Sequence, residues 1–377
     1  MLTSASIKRQ ALALGFDVCG VAPATALPEL QFLPEWLARG YAGDMIYLHK
    51  SAQARSDIRN FLPGARSVVV AGAIYNTQGP SGVPSGGNDD GSGSPCRDAV
   101  QIARYARGRD YHIVLAERLE RLVTWMREQQ AEPIDTAIFV DKHHVQERVY
   151  AQHAGVGWIG KNSCVINPEL GSFMFLCGIA TSIDLDVDAP ATDQCGACTL
   201  CIDSCPTGAI VDAHVLDATK CISYLTIEID GAIPEAQRPH LGNHAYGCDI
   251  CQEVCPWNMA PVLTADPAWV ATPRDGASAA ELWQRTDDEL HQFVKGSAMT
   301  HLPLAGLRRN LATVIGNSGD PSLVASLERP GSGVKNAAHS AHTPIVAEAV
   351  SWARGSLMAQ ASSPKPQVPG PRGGSLI

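Results

Sequence analysis

The sequence predicts a three-part protein: a mixed α/β domain over residues 1–185, a small metal-held domain over 186–265, and an α-helical region over 270–355. Three observations carry this. Eight cysteines (Cys195, Cys198, Cys201, Cys205, Cys221, Cys248, Cys251 and Cys255) fall in one short stretch. Ahead of them lie a β-branched run, Ser67–Tyr75 (SVVVAGAIY), and a helical stripe from Ile113 to Met126. Behind them, Glu281–Val294 and Leu304–Gly316 alternate apolar and polar residues at helical spacing.

In the first part, Gly15–Phe16–Asp17 reads as a helix end leading into a strand. Asp17 interrupts the apolar run after Lys8 and Arg9, so the N-terminus does not read as a secretory signal. Phe173–Ile183 is too short to span a bilayer and fits a buried strand. Gln78–Pro95 is a Gly/Ser/Pro/Asp-rich loop. Ile113, Ala116, Leu119, Leu122, Val123 and Met126 form one helix face, with Glu117, Arg118, Glu120 and Arg121 on the others. Asp135–Asp141 (DTAIFVD) reads as a strand that delivers Asp141 at its end. The cysteine region is rich in Gly, Pro and Asp, as in small domains where metal replaces much of the core. The tail 362–377 is Pro/Gly/Ser-rich and reads as disordered.

The first four cysteines read C-x2-C-x2-C-x3-C-P, closed by Pro206; the last three read C-x2-C-x3-C-P, closed by Pro256. This is the bacterial ferredoxin spacing for two 4Fe–4S clusters, in which the Cys before Pro crosses to the other cluster. That logic assigns Cys195, Cys198, Cys201 and Cys255 to one cluster and Cys205, Cys221, Cys248 and Cys251 to the other. Structural zinc also uses C-x2-C pairs, but needs neither a third Cys two residues on nor the closing Pro. Cys19, Cys96, Cys164 and Cys177 lie outside the pattern and read as small buried apolar residues. Twelve cysteines without an export signal point to metal ligation in a reducing cytoplasm. The net charge of −9 argues against a generally basic nucleic-acid coat, though not against a local basic face.

Six blocks narrow the substrate: RYARGRDYH (104–112), FVDKHHVQER (139–148), GVGWIGKN (155–162), CIDSCPTGAI, CISYLTIE and YGCDICQEVCPWN. In order and nearly collinear to about residue 320, they resemble the epoxyqueuosine reductases. The resemblance implies an α/β cobalamin-binding domain, a ferredoxin-like domain with two 4Fe–4S clusters, and a helical, HEAT-like repeat region. It implies cob(II)alamin as a further cofactor, an external electron donor, and the tRNA anticodon stem-loop as partner, with no membrane and a monomeric state. The implied reaction turns the epoxide of epoxyqueuosine into the alkene of queuosine.

By the same resemblance Asp141 matches the family's proposed proton donor. Removing an epoxide oxygen as water needs protons at oxygen, so an acid must sit beside the cofactor. Shielding by cofactor and tRNA would raise its pKa. Asp141 is also placed to cap a following helix. Arg148, seven residues on, would share its helix face and resembles the family's active-site Arg. Tyr111 and His112 are implied cofactor or substrate contacts, and Arg55 matches an Arg near the corrinoid rim. Ser223 and Asp249 flank cluster ligands and are placed to touch the corrinoid face.

Gly155, Gly157 and Gly160 have G-x-G-x-x-G spacing, but no strand directly precedes them, so a nicotinamide loop is disfavoured. The block reads as a close-approach loop around a flat cofactor, with Trp158, Lys161 and Asn162 as contacts. Arg104, Arg107, Arg109, Lys161, Arg238, His240, Arg308 and Arg309 are expected to converge on a basic face for tRNA. Lys142, His143, His144 and Val145 stand where the family has small residues and a Pro, making the surroundings of Asp141 more basic. Two other readings remain open from sequence: a corrinoid reductive dehalogenase-like enzyme acting on a small molecule, and a non-catalytic electron carrier.

Overall fold

The structure, a computed structural model, describes residues 2–77, 98–270, 274–328 and 343–362. The expected loop 78–95, Cys96 and the tail beyond Ser362 lie outside the described residues. Helix α1 (Ser4–Ala13) opens with a capping box between Thr3 and Ser6. Gly15, at φ +92°, turns the chain into strand β1 (Val18–Pro23). Strand β2 (Ser67–Ile74), helix α2 (Tyr111–Glu128), strand β3 (Thr136–Phe139), helix α3 (Glu147–His153) and strand β4 (Met174–Thr181) follow. The strands form one antiparallel sheet in the order β1–β2–β4–β3.

Every residue of β2 is buried, because helices cover both faces of the sheet. Val69, Ala71 and Ala73 pack with Ile7 and Ala11 of α1 and Leu115, Leu119 and Leu122 of α2. Val68 and Val70 pack with Val149, Tyr150 and Ala151 of α3. A strand buried on both sides reads as a continuous apolar run rather than an alternation. Each fully buried Leu or Val contributes about 1.5–3 kcal/mol.

The cysteine region carries helix α4 (Leu200–Asp203), helix α5 (Ile222–Ile227), strand β5 (His244–Tyr246) and helix α6 (Ile250–Glu253). Helices α7 (Ala279–Gln284), α8 (Asp287–Val294), α9 (Leu304–Asn317) and α10 (Pro344–Ser362) complete the chain. The stretch Glu281–Val294 is two helices rather than one: Thr286 and Glu289 form a capping box that starts α8 anew. Residues 98–106, expected within the first domain, leave its sheet. Gln101–Ile102 pairs in parallel with β5, and Val100, Ile102 and Ala106 pack with Tyr246, Trp283 and Leu311. Among the described residues no helix is long and apolar enough to cross a membrane.

Arg308 and Arg309, expected on a basic face, are 0% and 1% exposed. Arg308 donates to the carbonyls of Trp283 and Arg285 and pairs with Asp287. Arg309 donates to the carbonyls of Leu225, Ile229 and Gly231 at the end of α5. Asn310 donates to the carbonyls of Thr226 and Ala245 at 2.7 and 2.9 Å. Arg107 and Arg238 are buried too, against Ile102, Asp275, Ile233 and Glu348. These cations satisfy stranded carbonyls and are not free to meet phosphate. Of the expected basic face, only Arg109 and His240 are fully exposed.

Helix α9 thus braces two segments at once: α5 begins one residue after Cys221, and β5 ends two before Cys248. Asn310→Leu keeps the side-chain branching but strands two buried carbonyls, at about 1–3 kcal/mol each. Chemical denaturation should show a loss of about 2–6 kcal/mol, and the purified variant should carry less iron than wild type.

Candidate active site and cysteine centre

Strand β3 ends at Phe139, and two residues later Asp141 adopts φ +49°, left-handed for a non-glycine residue. That conformation costs about 1–2 kcal/mol, so something must hold it. The Lys142 N–H donates to the Val140 carbonyl at 2.5 Å, and the Val140 N–H donates to His143 Nδ1 at 3.1 Å. His143 packs edge-on to Phe61. It therefore builds the turn and does not set the charge environment of Asp141. Residues 142–146 are not helical, so Asp141 caps no helix, and Arg148 reaches the site from the first turn of α3.

The side chain of Asp141 is gripped from α2. Asp110 caps that helix by accepting from the His112 N–H at 3.0 Å. The Tyr111 hydroxyl donates to Asp141 Oδ2 at 2.5 Å, and His112 Nε2 lies 3.2 Å from the same oxygen. His112 Nδ1 lies 2.8 Å from Asp110 Oδ1, so its ring is clamped between two carboxylates and is only 11% exposed. Tyr111 stacks on Phe175 at 4.6 Å.

Burial pushes the Asp141 carboxyl up. Hydrogen bonds from His112 and Tyr111, with the charges of His112 and Arg148, outweigh it and hold the group at about 2. Open to solvent, Asp141 is therefore ionised, its side chain 61% exposed at the mouth of a concavity; the expected rise belongs to the state shielded by cofactor and tRNA. Burial alone would lower His112, but its bonds to Asp110 and Asp141 raise it above its ordinary value. Both shifts favour a proton on His112 over one on Asp141.

Asp141, Glu147 and Arg148 line a cavity of about 220 Å³ whose opposite wall is Tyr75, Tyr105, Met174 and Phe175. Sequence reasoning did not single out Glu147. Its signal, a carboxylate six residues after Asp141, looks the same as an ordinary acid in a helix's first turn. Burial, reinforced by the charge of Asp141, pushes it up to about 8 against its own backbone N–H, Arg55 and Arg148. Its Oε1 is buried with no hydrogen-bond partner among the described residues. Arg55 donates to Ser51 Oγ and the Val145 carbonyl, each at 2.9 Å, and so anchors the loop beneath Asp141. Arg148 donates to the Ser163 carbonyl.

The eight motif thiols form two groups. Cys201 lies within electrostatic reach of Cys195 and Cys255, and Cys255 within reach of Cys195 and Cys198. Cys248 neighbours Cys221 and Cys205, and Cys251 neighbours Cys248 and Cys221. Helices α4 and α6, which pack together, carry Cys201 and Cys251. Cys164, expected as a small buried residue, lies beside Cys251. Cys177 is buried in β4 as expected, and Cys19 is half-buried in β1.

Three expected cofactor contacts belong to this centre rather than to the cavity. Lys161 Nζ donates to the carbonyls of Gly196 and Cys198 at 2.7 and 2.9 Å. Asn162 donates to the Cys251 carbonyl at 3.0 Å. Trp158 is fully buried with Ile166, Cys255 and Trp257. The glycine block also closes on protein: a Cβ at Gly157 would lie 2.4 Å from the Ile166 carbonyl oxygen. The Ser223 N–H points to Cys221, and buried Asp249 accepts from the Arg104 N–H at 2.8 Å. Burial lifts Asp249 to about 6 against that bond and the charges of Arg107 and Arg104. Tyr75 joins the two regions, lining the cavity while its hydroxyl lies beside Gln252, the neighbour of Cys251.

Comparison with known proteins agrees with this architecture. Residues 194–258 match the family described as 4Fe-4S double cluster binding domain, and residues 55–142 match Epoxyqueuosine reductase QueG, DUF1730. An epoxyqueuosine reductase of Gloeobacter violaceus is 40% identical over 327 residues, covering 84% of this chain and 97% of that protein. A crystal structure of epoxyqueuosine reductase with a tRNA-Tyr epoxyqueuosine-modified stem loop superposes with a TM-score of 0.81 at 27% identity, over 94% of this chain and 89% of that one. The Bacillus subtilis enzyme, its catalytic loop swung out of the active site, gives 0.78 at 25% identity over 96% and 95%. With that identity sustained from the sheet through the cysteine centre, the chain belongs to the epoxyqueuosine reductase family.

Proposed function

We propose that this protein reduces epoxyqueuosine to queuosine in the anticodon stem-loop of tRNA, using two 4Fe–4S clusters and cobalamin, with electrons from an external donor. One observation carries the reading: the cavity that holds Asp141 shares Tyr75 with the Gln252 side chain beside Cys251, so a redox centre and an acid–base pair meet at one wall. The residues fit the groups required. Two sets of four thiols suit two cubane clusters, with Cys195, Cys198, Cys201 and Cys255 holding one and Cys205, Cys221, Cys248 and Cys251 the other. Tyr75, Phe175 and Tyr111, with successive ring centroids 4.4 and 4.6 Å apart, give the cavity an aromatic wall suited to a planar macrocycle. Bound cobalamin would supply a cobalt centre that collects single electrons and passes a pair to the epoxide.

The chain's own residues handle protons. Opening the epoxide and losing its oxygen as water takes two electrons and two protons. Asp141, ionised at rest, presents to the oxygen a proton drawn from the His112 imidazolium, which Asp110 keeps charged. Tyr111 fixes the carboxylate's orientation. Helices α7–α10 are read as a repeat-like, HEAT-like scaffold behind the cysteine centre.

Asp141→Asn keeps both hydrogen-bonding atoms near their places but cannot relay a proton. After anaerobic reconstitution, its single-turnover conversion of an epoxyqueuosine stem-loop, followed by mass spectrometry, should fall at least about 100-fold. Iron and corrin content should stay at wild-type levels, and full activity would remove Asp141 from the reaction. Lys161→Met should bleach faster in air at the cluster absorbance while loading corrin normally. A corrin defect with stable clusters would return Lys161 to the cavity.

A further inference from the structure

The cavity holds a second carboxyl that the steps above leave unused. We propose that Glu147 is a second catalytic acid, whose carboxyl carries the other proton that epoxide reduction consumes and gives it to the oxygen departing as water. This rests on the reduction proposed above and goes beyond it by accounting for both protons.

The geometry comes first. Glu147 is the first residue of α3 and lines the same cavity as Asp141. Its Oε1 is buried, and no hydrogen-bond donor of the described residues meets it. An ionised carboxylate left bare in such a wall costs several kcal/mol, on the order of a lost charged hydrogen bond. The neutral acid needs far less. The Arg55 and Arg148 charges favour the carboxylate, but both guanidinium groups direct their hydrogen bonds elsewhere, to Ser51, Val145 and Ser163. The Asp141 carboxylate and the Cys177 thiol also face Glu147, and Tyr75, Tyr105 and Tyr111 line the same cavity. Burial together with the Asp141 charge outweighs the two cations. Burial and Asp141 lift Glu147 to about 8 while Asp141 stays near 2. Paired carboxyls pushed apart in this way are the usual mark of an acid and a base in one site.

Stoichiometry points the same way. Two C–O bonds of the epoxide break, one carbon–carbon π bond forms, and the reductive supply delivers two electrons. The oxygen takes two protons. A stem-loop seated over the cavity mouth shuts out bulk water, so both protons must already sit on cavity groups. The His112–Asp141 pair supplies one. Tyr111 cannot supply the other, since burial and the neighbouring Asp141 charge push its hydroxyl far above the ordinary range. Glu147 remains, leaves as carboxylate, and is reprotonated from solvent when product departs.

The test uses the full-length reconstituted enzyme. Infrared difference spectra across pH 5–10 should show a neutral carboxylic C=O stretch at pH 7. It should vanish with a midpoint near about 8 and be missing in Glu147→Gln. Single turnover of an epoxyqueuosine stem-loop by Glu147→Gln should slow at least about 10-fold and lose the alkaline limb of its pH profile. Stem-loop affinity, iron and corrin content should be unchanged, and Glu147→Asp should recover most of the rate. The inference is overturned if no Glu147-dependent neutral-acid band exists at pH 7, or if Glu147→Gln keeps the wild-type rate and profile. Failure of wild type itself to convert the stem-loop would sink the reduction reading instead. That outcome leaves the band to decide whether Glu147 stores a proton.

Discussion

Two single-turn helices, α4 and α6, packed against each other are the joint on which the rest of the molecule depends. Four residues each cannot stabilise themselves, and the cysteine region has few apolar side chains of its own. Beyond a small core around Ile222, Leu225, Ile233 and Leu241, its order is imported through buried hydrogen bonds. Asn258 donates to Ser172 Oγ and the Gln252 carbonyl, and Ser172 Oγ donates to Gln252 Oε1. This ties α6 to the chain just before β4. Lys161 and Asn162 fasten the loops of both cysteine groups from the α/β side, while Arg309 and Asn310 fasten α5 and β5 from the helical side. A polar network of this kind is stiff only when every member is satisfied. That explains why the three parts of the chain interleave rather than sit as separable units.

Segment 98–106 shows what the interleaving achieves. It departs from the sheet, packs in the C-terminal core, and returns through Asp110 to start α2. On the way the Arg104 N–H meets Asp249, and the Arg104 guanidinium meets Asn76 and Glu253. The residues that clamp Asp141 are therefore launched from the segment that touches the cysteine centre. The electrostatics follow from this placement. One carboxylate oxygen faces a phenol and an imidazole and is held low; the other carboxyl of the cavity is buried beside that negative charge and is pushed up.

The parts legible in the sequence are those set by local periodicity or covalent spacing. Strand β2, the face of α2 and the grouping of eight thiols needed only runs, helical steps and the C-x2-C pattern. What escaped depends on partners far along the chain. Arg308 and Arg309 look like a solvated helix face, because no local signal says that five carbonyls from distant elements lie beyond their guanidinium groups. Lys161 and Trp158 sit in the right block but point to the cysteine centre, since the glycines between them bring Ile166 close rather than a cofactor. Asp141 stands out by motif, but the groups that set its charge do not. Its depressed pKa comes from Tyr111 and His112, about thirty residues earlier. Glu147 was missed for the converse reason: the absence of a partner leaves no mark in a sequence.

The buried arginines also constrain how an acidic protein meets an RNA. With a net charge of −9 and Arg107, Arg238, Arg308 and Arg309 turned inward, these four cations take no part in steering a phosphate backbone over long range. Short-range terms at the cavity then carry more of the affinity for the proposed stem-loop. An anticodon base is already easy to unstack, so reaching the mouth of the cavity beside Asp141 would cost it less than it would cost a duplex base pair. Recognition would thus be concentrated at the modified base itself, beside Asp141 and Tyr111, rather than spread along the stem. On the proposed reading, binding and proton delivery would draw on the same few side chains, and the clamp on Asp141 would serve selectivity as well as chemistry.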